Sequence, residues 1–265
     1  MIADALRRAR TAALRLAGPI DRLWLRATGR EHLPPLWLRR HTGPVAAFES
    51  AARETAEFLD RLALVRAGDT VLDVGCGPGA MVPELARRLG PAGRYVGFDV
   101  HAASIRWARE RYAGDPRLRF EHADLVSPWG AGAGAASTYR FPLDEGQADL
   151  VLAKSVFTHL LEADARHYLA EVRRVLRPGR GAVVTAFLYD ENGPRLPEVE
   201  RAFPFSDGRP VRWRLRSRPS AAVVFGRGLF EEMISAARLR VIWMSAGYFP
   251  GSARPTGQDT LILGH

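Results

Sequence analysis

A single cysteine, Cys76, and a single lysine, Lys154, stand in this 265-residue chain. One cysteine excludes an intrachain disulfide and a cysteine-rich metal site, and its place between glycines reads as a small packed side chain. The His, Asp and Glu residues show neither His-x-x-x-His nor clustered-carboxylate spacing, so no metal is expected. No apolar run approaches the roughly 20 residues that span a bilayer. The stretch Met1–Leu16 is broken by Arg7, Arg8, Arg10 and Arg15, which does not read as a secretory leader. The expectation is a cytoplasmic chain without a transmembrane segment. No internal repeat is found, and nothing in the sequence fixes an oligomeric state.

What is abundant is arginine. The net charge of +9 is uneven: residues 1–40 carry nine Arg against three acids, residues 201–240 again nine against three, and the stretch between them is slightly acidic. Basic flanks can meet phosphates or an anionic membrane surface, or can simply solvate helix faces. At this length folding buries about 70 to 75% of the unfolded surface, enough for one large core.

The organising stretch is Thr70–Gly79, Thr-Val-Leu-Asp-Val-Gly-Cys-Gly-Pro-Gly. A buried strand runs into a turn with glycines at 75, 77 and 79, and a helix pattern (Met81, Leu85, Leu89) follows. Glycine lets the backbone bend sharply and approach a ligand that a β-carbon would block. Asp99 closes a second strand pattern, Arg94–Asp99, twenty residues past Gly79, where a nucleotide-binding βαβ unit places an acid for ribose hydroxyls. The third glycine comes one residue earlier than in the dinucleotide fingerprint, and Asp73 sits inside the motif. An acid there disfavours a pyrophosphate and suits a cationic ligand such as an ammonium or a sulfonium.

These residues resemble a family. VLDVGCGPG, followed in order by YVGFDV, HADL, DLVLAKSVFTHL and VLRPGRGAVVT, is similar to the class I S-adenosylmethionine-dependent methyltransferases of small-molecule type, over roughly Phe48–Phe187. The resemblance implies that Asp73, Gly75, Gly77, Gly79, Asp99, Val100, Asp124, Leu125 and Lys154 contact S-adenosylmethionine, with S-adenosylhomocysteine as product. It assigns Asp124 to the adenine amine; otherwise Asp124 caps a turn. Lys154 departs from the small polar residue more usual at its position.

The alternation of strand and helix patterns predicts a doubly wound parallel α/β sheet with helices on both faces. The resemblance makes it a seven-stranded, mostly parallel, Rossmann-like sheet with an antiparallel last strand. The strand patterns are Thr70–Val74, Arg94–Asp99, Leu118–Glu121, Asp149–Lys154, Ala182–Phe187, Val241–Ser245 and Thr260–Leu263, with helices between them, one starting at Gly43-Pro44 and one at Gly228–Ala237. Residues 1–43 read as a basic helical lid, with Ile2, Leu6, Ala9, Ala13 and Leu16 at helical spacing, and residues 44–265 as the methyltransferase domain. Two stretches, 126–147 and 190–226, read as substrate-side loops, the first beginning with the Gly/Ala-rich run Trp129–Ser137.

Alignment of reactants can supply about 7 to 11 kcal/mol of a displacement barrier, and a general base roughly 10² to 10⁴-fold when the nucleophile is a hydroxyl. His159, just beyond the fourth strand, is the best base. The alternative is a ring satisfied by backbone. Lys154 is a base or orienting donor if desolvated, or a partner of Asp149 or Asp190. Tyr139 and Arg140 are candidates for acceptor contact, the alternative for Tyr139 being a packed aromatic. His41, His167, Asp190 and Glu191 are weaker, and His167 reads as lying on an exposed helix face. The function expected is methyl transfer to an O or N nucleophile of a small-molecule acceptor, in which Arg212, Arg214 and Arg216 around Trp213 hint at an acidic group. An RNA methyltransferase using the basic flanks and a catalytically silent cofactor-binding module are the competing readings. The Ala-Lys-Ser-Val run after the fourth strand lacks the Asn/Asp-Pro-Pro-aromatic motif of base-methylating relatives, which makes nucleic acid the less favoured partner.

Overall fold

The computed structural model describes residues 13–41, 45–129, 132–194, 196–247 and 257–265. Ile2, Leu6, Ala9 and the Gly43-Pro44 helix start lie outside them. Helix α1 (Gly18–Ala27) and α2 (Leu36–His41) are followed by α3 (Phe48–Arg61), which a single 3-10 turn at Val45–Ala47 introduces. The alternation then runs β1 (Thr70–Val74), α4 (Val82–Leu89), β2 (Arg94–Asp99), α5 (Ala102–Arg111), β3 (Leu118–His122), β4 (Ala148–Ala153), α6 (Glu162–Val175) and β5 (Leu176–Ala186). After a second, smaller sheet come α8 (Arg227–Ala236), β10 (Arg240–Ser245) and β11 (Asp259–Gly264).

Seven strands form one sheet in the order β10-β11-β5-β4-β1-β2-β3. The pairs β1–β2, β1–β4, β2–β3 and β4–β5 are parallel, whereas β11 runs antiparallel to both β5 and β10. The Rossmann-like sheet with one reversed strand is therefore present as the motifs predict. Successive residues of a strand face opposite sides, and β4 shows it plainly. Leu150 and Leu152 join the apolar cluster under α3, α4 and α5, while Val151 and Ala153 join the cluster under α6 and α8. The same alternation in β1 puts Leu72 and Val74 on the α6 side and Val71 with Asp73 on the α3 side, beside Tyr95.

The opposite, amino edge of the sheet is locked by charge. Asp149 accepts the Thr70 amide at 2.9 Å and Arg177 at 2.6 Å, and Arg180 bridges Asp69 and the Asp149 carbonyl. Buried Asp149 is therefore spoken for at the end of β4 remote from Lys154.

The 190–226 stretch, read as a loop, is instead structured. It contains α7 (Leu196–Ala202) and the strands β7 (Phe205–Ser206), β8 (Val211–Trp213) and β9 (Val223–Gly226), which with β6 (Leu188–Tyr189) just before them form four strands in the order β6-β9-β8-β7. Strands of two to four residues carry too little alternation to be read from sequence. Their apolar side packs Tyr189, Phe203, Ala222 and Val224 into a core of their own. The 126–147 stretch is also tied down in its described part. His167 donates to the Tyr139 carbonyl at 2.8 Å, Glu171 accepts the Phe141 amide at 2.6 Å, and Arg174 donates to the Leu143 carbonyl at 2.8 Å. These three residues sit at i, i+4 and i+7 on one face of α6. His167 is thus a half-buried anchor rather than an exposed helix residue.

Candidate functional site

Ligands of open α/β sheets bind beyond the carboxyl ends of the strands, and here that edge gathers most of the chemistry. The turn leaving β1 has positive φ at Gly75 (72°), Gly77 (54°) and Gly79 (78°), a conformation L side chains rarely adopt. A β-carbon on Gly75 would lie 2.8 Å from Val156 Cγ2, so the loop is closed to side chains by packing as well as by dihedral. Its Gly75 and Cys76 amides both donate to the Phe98 carbonyl, at 2.9 and 3.1 Å, which fastens the loop to the end of β2. Cys76 is buried against Gly97, and burial pushes its thiol well up, making it packing rather than a nucleophile.

Asp99 ends β2 with its carboxylate half-buried. It accepts the Gly77 amide on Oδ2 at 2.8 Å and the His101 amide on Oδ1 at 2.7 Å. Burial raises its pKa and these amides oppose the rise. The two backbone donors aim the group, and each oxygen keeps lone-pair capacity for a further hydroxyl donor. Asp124 follows β3 on the same edge with its side chain exposed, and its carbonyl accepts the Gly134 amide at 2.9 Å. Val100 and Leu125 pack beside these acids against the α6-side core.

Asp73 is the acid inside the glycine motif. It is buried, accepts the Tyr95 hydroxyl at 2.6 Å, and titrates near 7 because burial outweighs the hydroxyl and the Lys154 charge, with Asp99 adding to the rise. Lys154, one residue past β4, donates to Thr55 Oγ1 of α3 at 3.2 Å. Burial lowers it to about 8 against the pull of Asp73 and Glu54. Glu54 Oε2 is buried without a hydrogen-bond partner among the described residues. Two carboxylates (Asp73, Glu54), one ammonium (Lys154) and two hydroxyls (Tyr95, Thr55) therefore stand at the α3 side of the glycine turn. The resemblance implies a helix packed beside the cofactor here, but the sequence does not single out Glu54 and Thr55 themselves, because the signal of α3 is its apolar stripe.

Beyond Lys154 the chain bends through Ser155, whose φ is 59°. A polar triangle holds the bend: the Ser155 amide donates to Thr185 Oγ1 at 2.7 Å, Thr185 donates to Gln258 at 2.5 Å, and Gln258 donates to Ser155 Oγ at 2.9 Å. A 3-10 turn at Phe157–His159 follows. His159 Nδ1 donates to the Ser220 carbonyl at 3.2 Å, and the Trp129 ring meets the imidazole edge-on at 5.3 Å. With Nδ1 carrying the proton, Nε2 holds the lone pair. Burial lowers the pKa of His159, which keeps that lone pair available at neutral pH.

Other expected residues fall elsewhere. Tyr139 is wedged against Phe98 and Phe141 with ring centroids 5.1 and 6.4 Å away, and burial pushes its hydroxyl up to about 12. Arg140 is exposed and 3.8 Å from Asp144. Arg212 is taken up by Glu200 at 3.2 Å and the Phe203 carbonyl at 3.0 Å, and Arg214 lies over the Phe203 ring, so the arginines around Trp213 build the small sheet first. Asp190 accepts the Asn192 amide at 3.0 Å in a turn, and a β-carbon on Gly226 would meet Glu191 Oε1 at 2.1 Å. The His41 side chain lies outside the described residues. His101, which the motifs did not single out, orients Asp99 through its amide and bonds Ser104 Oγ through Nδ1 at 2.7 Å. Burial takes its pKa down to about 4.

The amino-terminal segment reaches this edge. Asp21 of α1 accepts the Leu36 amide at 2.8 Å and a buried ion pair from Arg39 of α2. Trp37 of α2 then meets the His101 ring edge-on at 6.2 Å. A cavity of about 170 Å³ lies between His32–Pro34, α3 and Pro78–Ala80 of the glycine turn.

The family described as "Methyltransferase domain" matches residues 71–179. Among curated relatives, an "uncharacterized 37.1 kDa protein" in a transposon of Streptomyces fradiae is 31% identical over 169 residues, 58% of this chain and 45% of its own length. The fatty-acid O-methyltransferase of Mycolicibacterium smegmatis is 35% identical over 139 residues, 51% of this chain and 42% of its own. The chain thus spans less than half the length of these relatives. Among solved structures, a SAM-dependent methyltransferase from Aquifex aeolicus superposes with a TM-score of 0.54 at 16% identity, covering 87% of this chain and 98% of that one, which speaks for the fold alone. Strand order and the glycine turn with its following acids agree with the family match: residues 71–179 are similar to a methyltransferase domain, on a fold shared with S-adenosylmethionine-dependent methyltransferases.

Proposed function

We propose that the protein transfers a methyl group from S-adenosylmethionine to an oxygen or nitrogen nucleophile of a small-molecule acceptor, in the cytoplasm. The observation that carries this reading is the joined glycine turn and Asp99: a side-chain-free backbone whose Gly77 amide aims a half-buried carboxylate on the ligand-binding edge. Bound there, S-adenosylmethionine would supply an electrophilic methyl on a sulfonium. Asp99 would accept the ribose hydroxyls, Val100, Asp124 and Leu125 would line the adenine, and Asp73 and Lys154 would face the ammonium and carboxylate of the amino-acid end. The charges of that pair are complementary to a zwitterion, and burial holds Asp73 above and Lys154 below their ordinary values.

The acceptor's proton is assigned to His159 Nε2. The Ser220 carbonyl fixes the tautomer, and Trp129 and the Phe157–His159 turn hold the ring. Tyr139 and Phe141 wall the site and exclude water, and residues 1–43 act as its lid through the Trp37–His101 contact. A fatty-acid O-methyltransferase among the relatives supports an apolar acceptor with one ionisable oxygen. The test is mass spectrometry of a metabolite extract incubated with the protein and methyl-labelled S-adenosylmethionine. Appearance of a product carrying one labelled methyl supports the reading. Loss of that product in His159→Gln, with S-adenosylhomocysteine affinity unchanged, supports the base; an unchanged rate removes it.

A further inference from the structure

Helix α1 has two apolar sides. Leu25 and Asp21 are buried against the body of the protein. The same helix and the turn of chain before it direct Leu16, Ile20 and Leu23 outward, 82%, 74% and 69% exposed, with Trp24 at 44% beside them. Their i, i+4, i+7 spacing makes one continuous stripe. A lid needs a single apolar side, and α1 has already used one.

Charge identifies what the second side meets. Residues 1–40 carry nine Arg against three acids. Of the acids described, Asp21 is buried with Arg39, and Glu31 is 3.3 Å from Arg26. Exposed Arg22 and Arg15, the latter with its guanidinium 4.6 Å over the Trp37 ring, flank the stripe, and the guanidiniums of Arg30 and Arg39 lie 5.6 and 5.8 Å over the Trp24 ring. An outward apolar stripe edged by arginine, with an interfacial tryptophan, is the pattern of a helix lying in the plane of an anionic lipid surface.

We infer that α1 docks the protein on an anionic phospholipid bilayer, with Leu16, Ile20 and Leu23 entering the acyl boundary and the arginines meeting lipid phosphates. Asp21 ties α1 to α2, and Trp37 of α2 touches His101 beside Asp99, so docking brings the ligand-binding edge close to the surface where an apolar acceptor would partition.

The test is co-sedimentation of the full chain with vesicles of phosphatidylcholine alone or mixed with phosphatidylglycerol. Strong binding to the mixed vesicles, falling steeply with salt, is expected. Leu16→Gln/Ile20→Gln/Leu23→Gln should lower partitioning on the order of tenfold or more, and Arg15→Gln/Arg22→Gln should lower it on the anionic vesicles only. Both variants should keep wild-type affinity for S-adenosylhomocysteine, which reports folding. Vesicle binding does not depend on methyl transfer, so the two readings fail separately. Wild-type protein left in the supernatant with both vesicles would overturn the inference, as would a triple variant that sediments like wild type. A wild-type dimer that the triple variant splits, with no vesicle binding by either, would assign the stripe to a second copy of the chain instead.

Discussion

Asp73 shows how a single buried carboxylate trades stability for a binding task. Its folded pKa of about 7 lies above the ordinary 3.8, so between those values the folded state holds a proton that the unfolded state has lost. Stability therefore falls as pH rises from about 4 to 7 and stays low above that. Asp73→Asn keeps an acceptor for Tyr95 and removes the titration. Denaturant unfolding should show the variant gaining on wild type through that window and reaching a plateau of about 2 to 4 kcal/mol, while its S-adenosylmethionine affinity drops. A pH-independent difference would contradict the assignment. Lys154 has the opposite sign: lowered to about 8, it costs stability below that value and the cost fades toward 10.5. His159, also lowered, should place the acid limb of a kcat/KM profile for a hydroxyl acceptor below the ordinary imidazole value, and His159→Gln should abolish that limb.

The elements around the site are held by contacts that differ in how openly the sequence announces them. The glycine turn was legible, because three glycines between a strand and a helix pattern leave few other conformations. Gly75→Ala should cost about 1 to 3 kcal/mol from its φ of 72° and its 2.8 Å approach to Val156, with cofactor binding lost; thermal melting and calorimetry check both. Asp149 at the other end of the sheet was read as a possible partner of Lys154. A strand places residues five apart about 16 Å from each other, which excludes that pair and leaves Asp149 to Arg177 and Arg180. Asp149→Ala should destabilise by about 2 to 4 kcal/mol in urea unfolding, since it strands the Thr70 amide and a guanidinium together. The small sheet, the Ser155–Thr185–Gln258 triangle and the Glu54–Thr55 contribution of α3 were not legible. They join residues up to 103 positions apart, and pairing at that separation leaves no local periodicity to read.

Across the whole molecule, the doubly wound parallel sheet followed from the alternation of strand and helix patterns and its reversed strand from the family resemblance, whereas the strand order and the roles of the flanks followed from contacts alone. The basic amino-terminal segment combines a stitched, buried side with an outward apolar one, and in the second arginine cluster Arg212 and Arg214 are held within the small sheet. What unites the site is that β1, β2, β3 and β4 all deliver their functional residues to one edge. The central claim is that this edge grips an adenosyl sulfonium through the glycine turn and Asp99. Isothermal titration calorimetry of S-adenosylmethionine and S-adenosylhomocysteine into the wild type and Asp99→Asn tests it most directly. The account predicts one site for each compound in the wild type and affinity weakened by about tenfold or more in the variant. No binding of either compound to the wild type, or equal binding by the two proteins, would contradict it.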